Sequence, residues 1–167
     1  MPVSPSEIVQ RLSGGAANTD PDAALGGAKS ANAAGTGAGA LFRDITTAEA
    51  AAGVTLYRCF YVENTNATDT ASSVAAFIKS QSSSADTTVE IGVGASGVNG
   101  SETAIADEFT APAGVAFSAT AVSAATGLLI GNLPPNQHGV IWYKLTVSPG
   151  AAFDAADTAT FTVAFIP

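Results

Sequence analysis

His138 is the only histidine in 167 residues, and Cys59 is the only cysteine. A nucleophilic triad would need that one imidazole as base, with a hydroxyl beside it and a carboxylate to orient it. Serine and aspartate are plentiful, but the chain has no Gly-x-Ser-x-Gly elbow, and His138 sits in the turn-like run Leu133-Pro-Pro-Asn-Gln-His-Gly139. A turn histidine is the plainer reading. One His and one Cys also fall short of a zinc ligand set. Calcium takes carboxylate and carbonyl oxygens from loops. Glu63, Asn64, Asn66 and Asp69 crowd one turn, and Asp20 and Asp22 another. Neither has the spacing of a helix-loop-helix calcium loop, and turn-forming Asx side chains account for both. Glu90, Glu102, Asp107 and Glu108 could supply an acid pair for glycoside hydrolysis, but no aromatic cluster lies near them in sequence. The glycine-rich stretches lack Gly-Lys-Ser/Thr and do not join a strand to a helix, so they are not phosphate loops. Cys59 alternates with Tyr57 and Tyr61 and reads as a small buried hydrophobe. The expectation is a non-enzymatic chain with no catalytic, cofactor or metal site.

The elements that would position any functional group are strands. Residues 54–80, VTLYRCFYVENTNATDTASSVAAFIKS, hold most of the large side chains of the first half. They read as two strands joined by a polar turn, with residues 74–78 pairing back on the first strand. Val, Leu, Tyr, Phe and Cys suit a pleated surface. Alternation puts Tyr57, Cys59 and Tyr61 on one face and Leu56, Arg58, Phe60 and Val62 on the other. Both faces are largely apolar, as in a central strand or one covered on its second side.

Other strands are expected over residues 41–46, 87–93, 127–132, 140–148 and 158–165, with residues 109–117 an edge strand or loop. Thr46 or Thr47 caps a helical turn that Gly53 ends. Residues 94–107 read as a surface loop. About seven or eight strands with almost no helix predict an all-β fold. The expected form is an antiparallel β-sandwich of immunoglobulin-like or jelly-roll type.

Residues 1–40 differ from the rest. Ser4 or Ser6 can cap a short helical turn through residues 8–12. Beyond Leu12 the chain is glycine- and alanine-rich, and Leu25 is its only sizeable apolar residue before Leu41. Such a segment cannot fold alone. It is expected as an extended arm, ordered only against its own domain or a neighbouring subunit, with residues 41–167 as the sandwich. Leu25, Leu41, Phe42, Phe60 and Trp142 are the expected protein-contact residues. For Phe60 and Trp142 this requires exposure on the outer faces of their strands, the alternative being a two-sided core.

Charge narrows the partners. Charged residues are 12%, about half of the usual 25%. Net charge is −8, and the cations Arg11, Lys29, Arg43, Arg58, Lys79 and Lys144 are scattered. No basic patch exists, so nucleic acid is not an expected partner. No apolar run of about 20 residues exists, so no membrane-spanning helix is expected. The N-terminus lacks the basic and apolar regions of a signal peptide, so synthesis in a cytoplasm is expected. A lone cysteine rules out an internal disulfide and leaves packing or assembly as the source of stability. The sequons at Asn66 and Asn99 read as turns.

Three stretches together resemble a family of small virion structural proteins of tailed bacteriophages. They are Gly14-Gly15 with Asp20-Pro21 and Leu25-Gly26-Gly27-Ala28-Lys29-Ser30; Thr55-Leu-Tyr-Arg-Cys-Phe-Tyr-Val-Glu-Asn64; and Leu133-Pro-Pro-Asn-Gln-His138 leading to Val140-Ile-Trp142. The likeness runs from about residue 14 to the C-terminus and brings no catalytic motif. It implies a capsid- or tail-associated β-sandwich, first a decoration (cement) protein on the capsid exterior. Its implied partners are the major capsid protein or other virion proteins and further copies of itself, a trimer among the options. A head–tail or tail component is the nearest alternative. A receptor- or carbohydrate-binding sandwich, with Trp142 or Tyr143 stacking on sugar, is a third.

Overall fold

A computed structural model describes residues 2–37, 39–152 and 157–166. Met1 and Ala38 of the expected arm lie outside the described residues. Eight antiparallel strands form two sheets that pack around one core. The larger sheet has the order β1-β2-β7-β4-β5, from Ile8–Leu12, Val54–Asn64, His138–Val147, Thr87–Val93 and Phe117–Ser118. The smaller has the order β6-β3-β8, from Leu128–Leu133, Ala71–Ser80 and Thr160–Ile166. The expected all-β sandwich is therefore present.

The strand at the centre of the sequence argument is also central in space. β2 pairs with β7 over ten positions, Val54↔Val147 through Glu63↔His138. Its alternation sends Phe60 and Val62 into the space between the sheets. There they meet Ile141 and Tyr143 of β7 and Val74, Ala76 and Ile78 of β3. Rings line up through this core, with Phe60 against Tyr143 at 5.4 Å and Tyr143 against Phe161 at 4.5 Å between centroids. Such pairs add about 0.5–1.5 kcal/mol each beyond area burial.

The structure corrects several expectations. β3 does not pair back on β2. It lies in the other sheet, between β6 and β8. Residues 65–70 therefore cross from sheet to sheet instead of closing a hairpin. Buried Asn64 fixes the crossing, its Nδ2 donating to the carbonyls of Asp69 and Leu133 at 2.8 Å each. The Asn66 side chain accepts from the backbone of Thr68 and Asp69, the Asx turn its sequence suggested.

Residues 41–46 are not a strand. Leu41 and Phe42 pack against the core from an irregular segment. The helical turn after them is as expected: α1, Thr47–Ala52, carries a Thr46–Glu49 capping box and ends at Gly53 with φ 79°. Near the start of the chain the helical turn is confined to a 3-10 turn at Pro5–Glu7, whereas Ile8–Leu12 is strand β1.

β1 also decides how residues 1–40 lie. It adds antiparallel to the free edge of β2, Ile8↔Asn64 to Leu12↔Phe60. Its own outer edge is then covered by residues 32–34. The Leu12 N–H donates to Asn32 O and the Ala34 N–H to Gln10 O. The described part of the segment expected as an arm is thus laid on its own domain.

Candidate functional site

The outer face of the large sheet is where the conspicuous residues gather. Tyr57, Cys59 and Tyr61 of β2 face the same way as Val140 and Trp142 of β7. They form a second, smaller core covered by Ile105, Val115 and Phe117. The cover is held by backbone bonds. The Cys59 N–H donates to Ala24 O, Tyr57 N–H to Glu108 O, Ile105 N–H to Leu25 O and Gly27 N–H to Glu102 O. Gly92 makes room for it, since a Cβ there would meet Val115 at 2.5 Å. Trp142 and Phe60 are completely buried, one under this cover and one between the sheets. Neither can be the exposed contact residue expected from alternation, because the chain itself supplies the second layer. Tyr143 is equally buried, so no aromatic of β7 is presented to a sugar.

His138 opens β7 directly opposite Glu63. Its ring stands edge-on to Tyr61 with centroids 4.9 Å apart, and Nε2 lies 3.2 Å from the carbonyl of Gly100. Nδ1 is buried without a hydrogen-bond partner among the described residues. Burial pushes the imidazole below its ordinary pKa, against the pull of the Gly100 carbonyl. The carboxylate that might orient it is engaged elsewhere: Glu63 receives Arg11 Nε at 2.7 Å and Lys29 Nζ at 2.5 Å. Burial opposes ionisation of Glu63, yet the two cations hold it below the usual carboxylate range. The Tyr61 hydroxyl donates to Gly27 O and accepts from the Glu102 N–H at 2.9 Å. Glu102 itself turns back to accept from the backbone of Ala95 and Ser96. These groups fasten the residues 13–30 segment and the 94–108 loop onto the sheet.

A second polar cluster does the same at the other end. Fully buried Arg58 reaches Asp22 at 2.8 Å and also Glu108, and its guanidinium lies 5.8 Å over the Phe42 ring. Arg43 joins Glu108 to Glu49, which closes the α1 cap. The Arg43 guanidinium, followed by the Thr46 backbone N–H, lowers the pKa of Glu49 to about 2. With Lys144 on Glu90, ion pairs engage every cation but Lys79 among the described residues. Asp20 caps a 3-10 turn by accepting from the Asp22 N–H, and Asp22 pairs with Arg58 alongside Glu108. Among the described residues, no group of three His, Cys, Asp or Glu side chains could hold a metal. Cys59 is buried, and burial raises its thiol pKa, which makes it inert in the folded chain.

The small sheet differs. Its inner face is core, and on its outer face Leu129 stands exposed near buried Ala75. Ala75 of β3 is paired with Leu129 of β6 on one side and Ala164 of β8 on the other. Together with Ala124, Ala125 and Phe165 they line a shallow apolar depression of about 410 Å³. Leu129 is 63% exposed, the highest among the exposed large hydrophobic residues. None of these residues stood out in the sequence. Alanines on an open sheet face look like alanines anywhere, and the Leu128-Leu129 pair was the one available signal. Of the expected contact residues, Leu25, Leu41 and Phe42 are half-buried. Leu41 and Phe42 pack on the inter-sheet core, and Leu25 accepts the Ile105 N–H through its carbonyl.

No protein-family model, curated protein or solved structure matches this chain.

Proposed function

We propose that the protein is a non-enzymatic virion structural component, a decoration protein seated on the outer surface of a capsid. The observation that carries this is the unequal treatment of the two sheets. The large sheet is covered on both faces by the chain itself. On the small sheet Leu129 stands exposed at a shallow apolar depression that it lines with Ala75 and Ala164. Such a surface fits a flat apolar contact with a protein shell. Docking there would bury Leu129, and burying a leucine contributes about 1.5–3 kcal/mol per copy. Copies multiplied over a shell would give a large total from a modest contact. A net charge of −8, with every cation but Lys79 engaged in ion pairs among the described residues, leaves little to attract nucleic acid and suits the exterior. The three stretches that resemble tailed-phage virion proteins point the same way.

The docking element differs from the one first expected. Residues 2–37 are committed to their own domain, so the outer face of the small sheet takes the contact role that the arm was expected to have. The test is co-sedimentation of the purified protein with undecorated capsid shells. Wild type is expected to pellet to saturation. Leu129→Asp, with an unchanged melting temperature, is expected to bind at least about tenfold more weakly, the minimum for losing about 1.5 kcal/mol of burial. Equal binding by the two proteins would remove the small sheet from the contact.

A further inference from the structure

Sheet edges expose unpaired backbone donors and acceptors, and native proteins blunt them with covers, brevity, bulges, prolines or charges. This fold blunts three of its four edges. β1 is covered by residues 32–34. β5 is two residues long. β6 is bulged, its register on β3 skipping a residue between Gly131 and Leu129, and Gly131 has φ 127°.

β8 has none of these devices. It is seven residues long, Thr-Phe-Thr-Val-Ala-Phe-Ile, with no charge, proline or glycine. Its pairing with β3 is irregular, but the extra residues lie on β3, between Ser72 and Ala75 and between Ile78 and Ser80. β8 itself runs without a bulge. Among the described residues it pairs with β3 alone. Phe161, Val163 and Phe165 pack on the core from β8 yet remain only half-buried, so the core is open at this margin.

We propose that β8 pairs antiparallel with β8 of a second copy, about a two-fold axis at Val163. The strand is self-complementary about that residue. Val163 faces Val163, Phe161 faces Phe165, Thr162 faces Ala164 and Thr160 faces Ile166. Residues directly opposite in an antiparallel pair project from the same face. Each core-side aromatic therefore meets a core-side aromatic, and Thr162 meets outward Ala164. The result is an isologous dimer with one continuous six-stranded sheet, β6-β3-β8-β8-β3-β6. Its outer faces adjoin, so the two copies share one docking surface twice as wide. The pairing itself does not depend on the virion reading, because it is tested on the protein alone.

The test uses light scattering on the full chain and two charge variants. Wild type is expected at twice the 16.4 kDa of one chain. Thr162→Lys with Ala164→Lys places lysine opposite lysine at both outward pairs; Thr162→Glu with Ala164→Glu does the same with glutamate. Each double variant is expected as a folded monomer, and an equal mixture of the two is expected to recover the dimer mass. A second readout guards against misfolding. Thr162→Cys with Ala164→Cys is expected to give a disulfide-linked dimer on mild oxidation, since those positions face each other across the axis. A monomeric wild type, an oligomer that survives both charge variants, or the absence of cross-linked dimer would each overturn the proposal. Capture of a different protein's strand would appear as monomers that do not respond to mixing, and it too overturns it.

Discussion

His138 is the residue whose chemistry is most open to measurement. It lies between the Tyr61 ring, the Gly100 carbonyl, Lys29 and the Lys29- and Arg11-bound Glu63. Burial first, and the Lys29 charge besides, keep it neutral to lower pH than an ordinary histidine. In the unfolded chain it protonates near pH 6.5. The unfolded state then binds a proton that the folded state refuses, so stability is intact above that pH and falls below it. Glu63 behaves in the same direction lower down. Its folded pKa is depressed, so its contribution is present above about pH 4.3 and is lost as the pH falls further. Thermal unfolding followed across pH should therefore show two acid-side declines, one starting near pH 6.5 and one below about pH 4.5. His138→Gln is expected to remove the first and leave the second. An unaltered first decline in that variant would mean that His138 is not what titrates there.

Among the elements, the N-terminal segment carries the most surprise. A glycine- and alanine-rich run offers no apolar periodicity, and it was expected as an arm. It folds back because its backbone is used: Ala24, Leu25 and Gly27 all take part in hydrogen bonds that close the sheet cover. Small residues allow that close approach. The consequence is testable by truncation. Removing residues 1–37 would unpair the β2 edge, strip Asp22 from Arg58 and take away the Ala24, Leu25 and Gly27 backbone partners of Cys59, Ile105 and Glu102. Losing strand β1 with its buried Leu12, and a partner of buried Arg58, takes away a large part of the 5–15 kcal/mol that holds a typical domain folded. The truncated chain is expected to lose its cooperative melting transition by circular dichroism. A truncated chain that melts like the full one would show that the sandwich stands without its cover.

The same contrast explains what could be read beforehand. β2, β4, β7 and β8 announce themselves by alternation of large side chains, and the capping box at Thr46 and Glu49 gave α1. The polar turn after Asn64 looks alike whether it closes a hairpin or crosses between sheets, so the partner of β3 was misassigned. Leu41 and Phe42 are good core anchors whether they come from a strand or a coil. Phe60 and Trp142 sit on opposite faces of two-sided strands, and only the three-dimensional cover tells buried from exposed. The depression lined by Ala75, Leu129 and Ala164 was not legible, because alanine gives no signal until its surroundings are known.

At the scale of the molecule, the structure is a sandwich with one sheet covered on both sides and one that leaves Leu129 exposed on its outer face. That asymmetry makes docking through the small sheet the economical reading of a chain whose polar clusters are all engaged in holding its own cover down. The most direct measurement is an electron cryomicroscopy reconstruction of undecorated shells saturated with the purified protein. The account predicts added density repeated over the capsid exterior, with the β6-β3-β8 sheet facing the shell. Density confined to one vertex or to the tail, or copies seated through the covered large sheet, would contradict it.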